Sequence, residues 1–308
     1  MKLPSVEYEA PATVAEAVGL LAEHQDEASV LAGGQSLIPL LALRLARPAV
    51  LVDINGVAEL SGISQANGSQ ANGSQANGSL AIGATTREYM AEESAQVAQA
   101  VPLLAAALPL IGHEAIRNRG TIGGSLAHAD PAAELPAVAR ALDAEFVVRS
   151  AAETRVIAAA DWFEGYLATA RRPDELLTEV RFPMAPPGTG AAFEEVARRH
   201  GDFAIVGLAA QLTLNDGVIS DARLAFSGVA DVPVRARDAE DLLKGQRPSS
   251  ELFAEAARAA TAAIDPPADL HGSSEYRKKV AAALVRRGLK AATGNAQGTG
   301  NAHERQHS

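Results

Sequence analysis

Two glycine pairs, and only two, occur in this chain: "AGGQSL" at 32–37 and "TIGGSL" at 121–126. Glycine is the residue that permits a positive φ or a close approach to the backbone. Each pair therefore marks a place where the fold needs one or the other. The first joins an apolar strand-like stretch, "ASVLAGG", to an apolar helix-like stretch, "SLIPLLALRLA". Such a junction presents free backbone N–H groups at a helix start, where an anion is favoured. The hydroxyls of Ser36, Thr121 and Ser125 stand beside the glycines. Two such nests can clamp a diphosphate from both sides. Glu134, nine residues beyond Ser125, is then placed to accept hydrogen bonds from ligand hydroxyls. Spacing alone is equally compatible with two tight turns that need positive φ.

The surrounding pattern is α/β at the start. Thr13 and Glu16 form a capping box ahead of "VAEAVGLLAEH", a helix with an apolar stripe. "ASVL" and "AVLVDI" (49–54) read as buried strands, and the helix between them is expected to run to Pro48. Strand–helix–strand order suggests an α/β layer. Residues 64–78 are SQANG three times over, between strand-like flanks, and are expected to form an elongated hairpin tip. Helices follow at about 88–111 and from Glu134 to Leu142, with strands at "AEFVVRS", "TRVIAA" and "ELLTEVRFP". "DWFEGYLAT" reads as a short helix. "PMAPPGTGA" (183–191) is the best boundary, with three prolines and two glycines in nine residues. Beyond it a hairpin, "IVGLAAQLTL-NDG-VISDARLAFSGV", precedes helices near 238–244, 250–263 and 273–291. The polar end, 292–308, is expected to be a disordered tail.

Composition narrows the chemistry. Of 308 residues 47% are apolar and none is cysteine. Disulfides, thiolate catalysis and Cys-ligated zinc or iron–sulfur clusters are thereby removed from this chain. A net charge of −10 without a basic run argues against nucleic acid or an anionic membrane as partner. No signal-peptide core and no apolar run of about 18 residues is present, so a cytoplasmic protein without a membrane span is expected. Nucleotide and hydrolase signatures such as G-x-G-x-x-G, the P-loop, H-E-x-x-H and G-x-S-x-G are missing. The seven histidines show no metal-ligand spacing; His113 and His128 flank the second glycine loop within reach of a ligand. No metal site is read here, and no catalytic acid or base.

With these motifs in place, the chain resembles the FAD-binding (medium) subunits of the molybdenum hydroxylases, including the carbon monoxide, nicotine and xanthine dehydrogenase flavin subunits. The resemblance covers nearly the whole chain and rests on "LAGGQSLIPLLALRLARPAVLVDIN" and "IRNRGTIGGSLAHADPAAELP" together. It implies an α+β fold with an α/β-like N-terminal part. In this fold a vanillyl-alcohol-oxidase-type FAD-binding domain spans 1–182, in subdomains of about 1–56 and 57–182. A smaller α+β domain covers 183–291. It implies non-covalent FAD, its diphosphate held by Ala32, Gly33, Gly34, Gln35, Ser36 and Leu37 and by Thr121, Ile122, Gly123, Gly124 and Ser125. By the same resemblance Glu134 binds a sugar hydroxyl, Leu177 packs beside the flavin or adenine, and Phe203 lies near the isoalloxazine ring.

Three departures qualify the likeness. Ser125 stands where many relatives have Asn. Gln35 replaces a His of typical carbon monoxide dehydrogenases, which favours an organic substrate. Glu194 and Glu195 lie where some relatives carry Lys, so no ligand contact is assigned to that strand. The implied partners are a molybdopterin large subunit and a [2Fe–2S] small subunit, in a heterotrimer or a dimer of heterotrimers. Electrons would leave FAD for NAD⁺, a quinone, a carrier protein or O₂. Two other classes stay open: a self-sufficient FAD-dependent oxidase, and a non-catalytic nucleotide-binding or assembly protein.

Overall fold

The computed structural model describes residues 3–66 and 78–304, the last six as backbone only. Its first unit is a three-stranded parallel sheet of order β1-β3-β2, from β1 (Glu7–Glu9), β2 (Ala28–Leu31) and β3 (Val50–Asp53). Helices α1 (Val14–His24) and α2 (Leu37–Ala42) make the connections. The capping box forms with its return bond one residue early: Thr13 Oγ1 accepts the Glu16 N–H at 3.2 Å, and Glu16 Oε2 accepts the N–H of Ala12, the residue before the cap, at 2.7 Å. Val14, Ala17, Val18 and Leu21 of α1 then pack on Val50, Val52 and Ile54.

Helix α2 is shorter than expected. It stops at Ala42 because Arg44 takes a left-handed conformation, φ 60°. The Leu45 N–H then reaches Leu40 O at 2.9 Å and the Arg44 N–H reaches Leu41 O at 3.1 Å, the two bonds of a Schellman stop. Arginine rather than glycine occupies the left-handed position, so no sequence signal announces the end. Leu43 and Leu45 are left exposed.

The second unit is a five-stranded antiparallel sheet of order β4-β5-β10-β6-β7. Its strands are β4 (Ile63–Ala66), β5 (Ser79–Gly83), β6 (Glu145–Arg149), β7 (Thr154–Ala158) and β10 (Leu176–Pro183). The last strand in sequence lies at the centre. Helices α3 (Glu88–Glu92), α4 (Ala95–Ala100), α5 (Pro102–Ala107), α6 (Glu114–Arg117), α7 (Ile122–His128) and α8 (Glu134–Leu142) are inserted between β5 and β6. "DWFEGYLAT" departs from its expected helix. Only one turn forms, α9 (Ala159–Trp162), and a tight hairpin follows, β8 (Phe163–Gly165) with β9 (Ala168–Thr169). Leu167 turns the chain there with φ 55°.

The third unit is a four-stranded antiparallel sheet: β11 (Thr189–Val196), β12 (Val206–Asn215), β13 (Val218–Ser227) and β14 (Val234–Arg235). Helices α10 (Arg237–Leu243), α11 (Ser250–Ala262) and α12 (Ser274–Glu304) complete it. Strand β12 is buried along most of its length because both faces are covered, although Gln211 and Thr213 interrupt its apolar run. Ala191, Phe193, Ala209 and Ala225 join the core of the second unit, whereas Leu208, Ala210, Leu212, Leu224 and Phe226 join the core with α11 and α12. Arg235 and Arg223 also reach back to Asp143, at 2.5 and 3.1 Å, which caps α8.

The expected disordered tail from 292 is not found over 292–304. Helix α12 continues, because Ala292 and Ala296 bury against Gly190 of β11, where any side chain would collide with them. The Asn295 side chain donates to Ala191 O at 2.8 Å.

Most of the SQANG repeat, 67–77, lies outside the described residues, but its base is informative. Ala66 pairs with Ser79 in the β4–β5 register. Deleting 69–78 would therefore join that pair through Asn67-Gly68 alone, a sequence suited to a type I′ turn. Loop closure becomes easier by about 1–2 kcal/mol, against one lost bond, Met184 N–H to Gly78 O. The deletion variant is expected to melt no lower than the parent. A calorimetric fall of several degrees would show that the repeat supports the fold.

Candidate functional site

The first glycine loop leaves β2 and turns into α2. Gly34 is left-handed at φ 73°. Gly33 serves a different need: a Cβ there would collide with Arg119 O and lie 2.9 Å from Gly120 Cα, just before the second glycine loop. The two loops therefore meet backbone to backbone. Among the described residues, the N–H groups of Gly33, Gly34, Gln35, Ser36 and Leu37 make no backbone hydrogen bond, and Ser36 caps nothing with its side chain. This is a row of five unspent donors.

Polar side chains hold the loop in place. Asn55 Nδ2 donates to Ala32 O at 2.8 Å and to Asp53 Oδ1 at 2.6 Å. The Tyr8 hydroxyl donates to Asp53 Oδ2 at 2.5 Å. Burial alone would raise the Asp53 carboxyl; these hydrogen bonds and the charge of Arg119 hold it below the ordinary carboxylate range. Arg87 ties both loops together, donating to Asn55 Oδ1 at 2.6 Å and to Arg119 O at 2.5 Å.

The second loop behaves otherwise than its composition suggests. The N–H groups from Ile122 to Ser125 are occupied: Ile122 to Thr86 O at 3.0 Å, Gly123 to Ala84 O at 2.9 Å, Gly124 to Thr121 Oγ1 at 3.0 Å, Ser125 to Thr121 O at 3.0 Å. It is not a second row of donors. Neither glycine here is left-handed. Gly123 is required because a Cβ would sit 2.5 Å from Ala84 Cβ, and Gly124 because one would sit 2.5 Å from its own capping hydroxyl, Thr121 Oγ1. Ile122 is fully buried in the core of the second unit and does not line the site. What the loop offers is room and the Ser125 side chain.

Between the loops and the third unit lies a cavity of about 640 Å³, within the range of ligand pockets, about 300–1,000 Å³. The structure brings Ala32, Gly33, Gly34, Gln35, Ser36 and Leu37 to one wall and Thr121, Gly123, Gly124 and Ser125 to another. Glu134, Leu177 and Phe203 complete the set. Of the residues implied to hold the cofactor, only Ile122 is left out. Leu177 forms a buried apolar wall, whereas Phe203 stands at the mouth, 58% exposed. A smaller cavity of about 380 Å³ lies across the first loop, beside Asp53, Asn55 and Arg119.

Other lining residues escaped sequence reasoning. Tyr166 and Leu167 reach the cavity from the β8–β9 hairpin, and Arg171 from beyond it. Arg171 Nη1 is spent on backbone carbonyls, that of Glu175 at 2.7 Å. His128 lines the cavity, and burial lowers its pKa despite Asp130 nearby. His113 does not line it; its ring lies under Gly201. Glu88 and Glu134 both line the cavity and are both 3% exposed. Burial, with smaller contributions from Glu195 and Asp130, pushes Glu134 up to about 7 even though its own backbone N–H opposes this. Nothing in "TTREY" marks Glu88, because its burial is made by loops distant in sequence.

Residues 4–185 match the family described as the FAD binding domain in molybdopterin dehydrogenase, and 191–292 match the CO dehydrogenase flavoprotein C-terminal domain. The 6-hydroxypseudooxynicotine dehydrogenase complex subunit alpha of Paenarthrobacter nicotinovorans is 43% identical, over 97% of this chain and 98% of that protein. Among solved structures, the carbon monoxide dehydrogenase of Hydrogenophaga pseudoflava that lacks the Mo-pyranopterin moiety superposes with a TM-score of 0.90. It shares 39% identity and covers 96% of this chain and 99% of its own. Quinoline 2-oxidoreductase from Pseudomonas putida 86 superposes at 0.88, with 38% identity over 97% and 99%. Matched along almost its whole length, the chain belongs to the FAD-binding family of molybdopterin dehydrogenase subunits, which are oxidoreductases.

Proposed function

We propose that this chain is the medium subunit of a multi-subunit molybdenum hydroxylase and holds one non-covalent FAD in the cavity between its glycine loops. When bound, FAD would carry electrons from the [2Fe–2S] clusters of a small subunit to an external acceptor, while a molybdopterin-bearing large subunit hydroxylates the substrate. The observation that carries the assignment of the site is the row of five unspent N–H groups, 33–37, on residues that line a cavity of dinucleotide size. Oriented N–H groups of this kind suit a diphosphate. The residues present thus fit the cofactor.

The roles of the chain's own residues follow. Gly33 to Leu37 bind the diphosphate through their N–H groups, and Ser36 and Ser125 add hydroxyls. Glu134 accepts from a sugar hydroxyl. Leu177 supplies an apolar wall for a ring, and Phe203 at the mouth lies beside the isoalloxazine end. Ile122 serves only to seat α7 in the core. The parallel sheet and the antiparallel sheet form the two halves of a vanillyl-alcohol-oxidase-type cofactor domain, about 1–56 and 57–182, meeting at the loops. The third unit, from 183, closes the cavity. The assembly is a heterotrimer or a dimer of heterotrimers in the cytoplasm. With no cysteine in the chain, electrons must cross a subunit boundary to enter it.

Anaerobic absorbance of the purified chain tests this reading. Acid should release free FAD. Dithionite should bleach the flavin, whereas quinoline or 6-hydroxypseudooxynicotine should not. Adding the two partner subunits should confer bleaching by the complex's own substrate. Rapid bleaching by an organic substrate in the isolated chain would instead make it a self-sufficient oxidase, and a colourless chain that takes up no FAD would leave it a binding or assembly protein.

A further inference from the structure

Glu88 opens α3 and is docked on the second glycine loop. Its N–H donates to Gly120 O at 3.0 Å. Its carboxyl lies directly against Gly120, where a side chain of any kind would collide with it. The residue is 3% exposed and lines the large cavity, yet Oε2 is enclosed and has no hydrogen-bond partner among the described residues. A buried carboxyl beside a cavity with an unbonded oxygen calls for a partner.

We propose that Glu88 is a further contact between this chain and the dinucleotide, acting as a neutral carboxylic acid that donates a hydrogen bond to an acceptor atom of the cofactor. The proposal rests on the FAD reading above. Its first support is the lack of a counter-charge. Arg117 on α6 is the nearby cation, but its guanidinium is spent on Glu92, at 2.6 and 3.2 Å, and on Ile111 O. Arg87, the next residue, is turned to Asn55 and Arg119 O. The adjoining α4 and the single turn Leu108–Leu110 contain no titratable residue. From α8, the charge that faces Glu88 is another acid, Glu134, in the same cavity.

Burial, then the charge of Glu134, pushes Glu88 up to about 8, with Glu92 adding and Arg117 opposing. At neutral pH the side chain therefore keeps its proton and is a donor. The sign for binding follows. Losing that proton removes the donor and places a negative charge beside a diphosphate anion, so affinity falls as pH rises through the pKa. Glu134, pushed up only to about 7, titrates mainly below this window, and Glu88→Gln, which leaves Glu134 in place, separates the two.

The test is FAD titration into the flavin-stripped full chain between pH 7.5 and 9.5, followed by flavin fluorescence quenching. In the parent, Kd should rise towards tenfold per pH unit above about 8. Glu88→Gln keeps a neutral donor; its Kd should stay within about threefold of the parent at pH 7.5 and show no such rise. Glu88→Ala should bind at least about tenfold more weakly at pH 7.5. The proposal is overturned if Glu88→Gln keeps the parent's pH slope, or if a folded Glu88→Ala binds FAD like the parent. Should Glu88→Ala not fold, the pH slope of Glu88→Gln decides. A parent chain that binds no FAD at any pH sinks the FAD reading itself, an outcome distinct from a failure confined to Glu88.

Discussion

Gly33→Val is expected to yield a folded chain that retains less than about a tenth of the parent's flavin. The backbone at Gly33 is not left-handed, so conformational strain is not the cause. Distance is. A Cβ would collide with Arg119 O and sit 2.9 Å from Gly120 Cα, and both are backbone atoms that cannot rotate away. Arg119 O is further held by Arg87 Nη1. Relief requires the two loops to part, and the N–H row from 33 to 37 moves with the first of them. Overpacking of this kind costs about 1–3 kcal/mol, less than a protein of this size can lose while staying folded. Two controls bracket the result. Gly34→Ala meets a positive φ and Ile38 Cγ1 at 3.1 Å, so a milder loss is expected, about 1–2 kcal/mol of local strain. Gly19→Ala meets nothing within 4 Å, so stability and flavin should hold or improve. Circular dichroism reports the fold and the visible absorbance per chain reports the flavin. Stoichiometric flavin in Gly33→Val would show that the junction of the loops plays no part in binding.

Trp162→Ala is expected to lower the melting temperature by about 10 °C or more and to weaken flavin binding with it. This single tryptophan is fully buried. Its ring stacks on Phe146 of β6 at 4.3 Å between centroids and 8° between planes. Its indole N–H donates to Leu126 O at 3.0 Å. Leu126 lies in α7, whose last carbonyls lack partners within the helix. Trp162 thus bolts the glycine-loop helix to the five-stranded sheet. Truncation of a buried aromatic costs about 3–5 kcal/mol, and a stacked pair adds about 0.5–1.5. Trp162→Phe keeps a ring to stack on Phe146 but loses the bond to Leu126 O, at about 1–3 kcal/mol, together with part of the buried ring volume, so its loss should fall short of the alanine variant's. Differential scanning calorimetry on both variants checks the order. An alanine variant melting within a few degrees of the parent would show that α7 is held by other contacts.

Much of the fold was legible because its causes are local. The Thr13–Glu16 box, the apolar stripe of α1, the span of α8 and the strand β10 all follow from spacing, capping and proline, and all form as expected. Ala32 to Leu37, Glu134, Leu177 and Phe203, named through the family resemblance, line one cavity. What could not be read depended on partners distant in sequence. The N–H groups of "TIGGS" are consumed partly by Ala84 O and Thr86 O, more than thirty residues away, so a loop with the composition of an anion nest became a packing device. Residues 292–298 look like a polar tail until Ala292 and Ala296 meet Gly190. Glu88 looks like an ordinary surface acid until α6 and Gly120 close over it. Periodicity and caps are written in neighbouring residues and decide which elements exist. Burial and the fate of each donor are set by what those elements meet, and that is decided only when the chain has closed on itself.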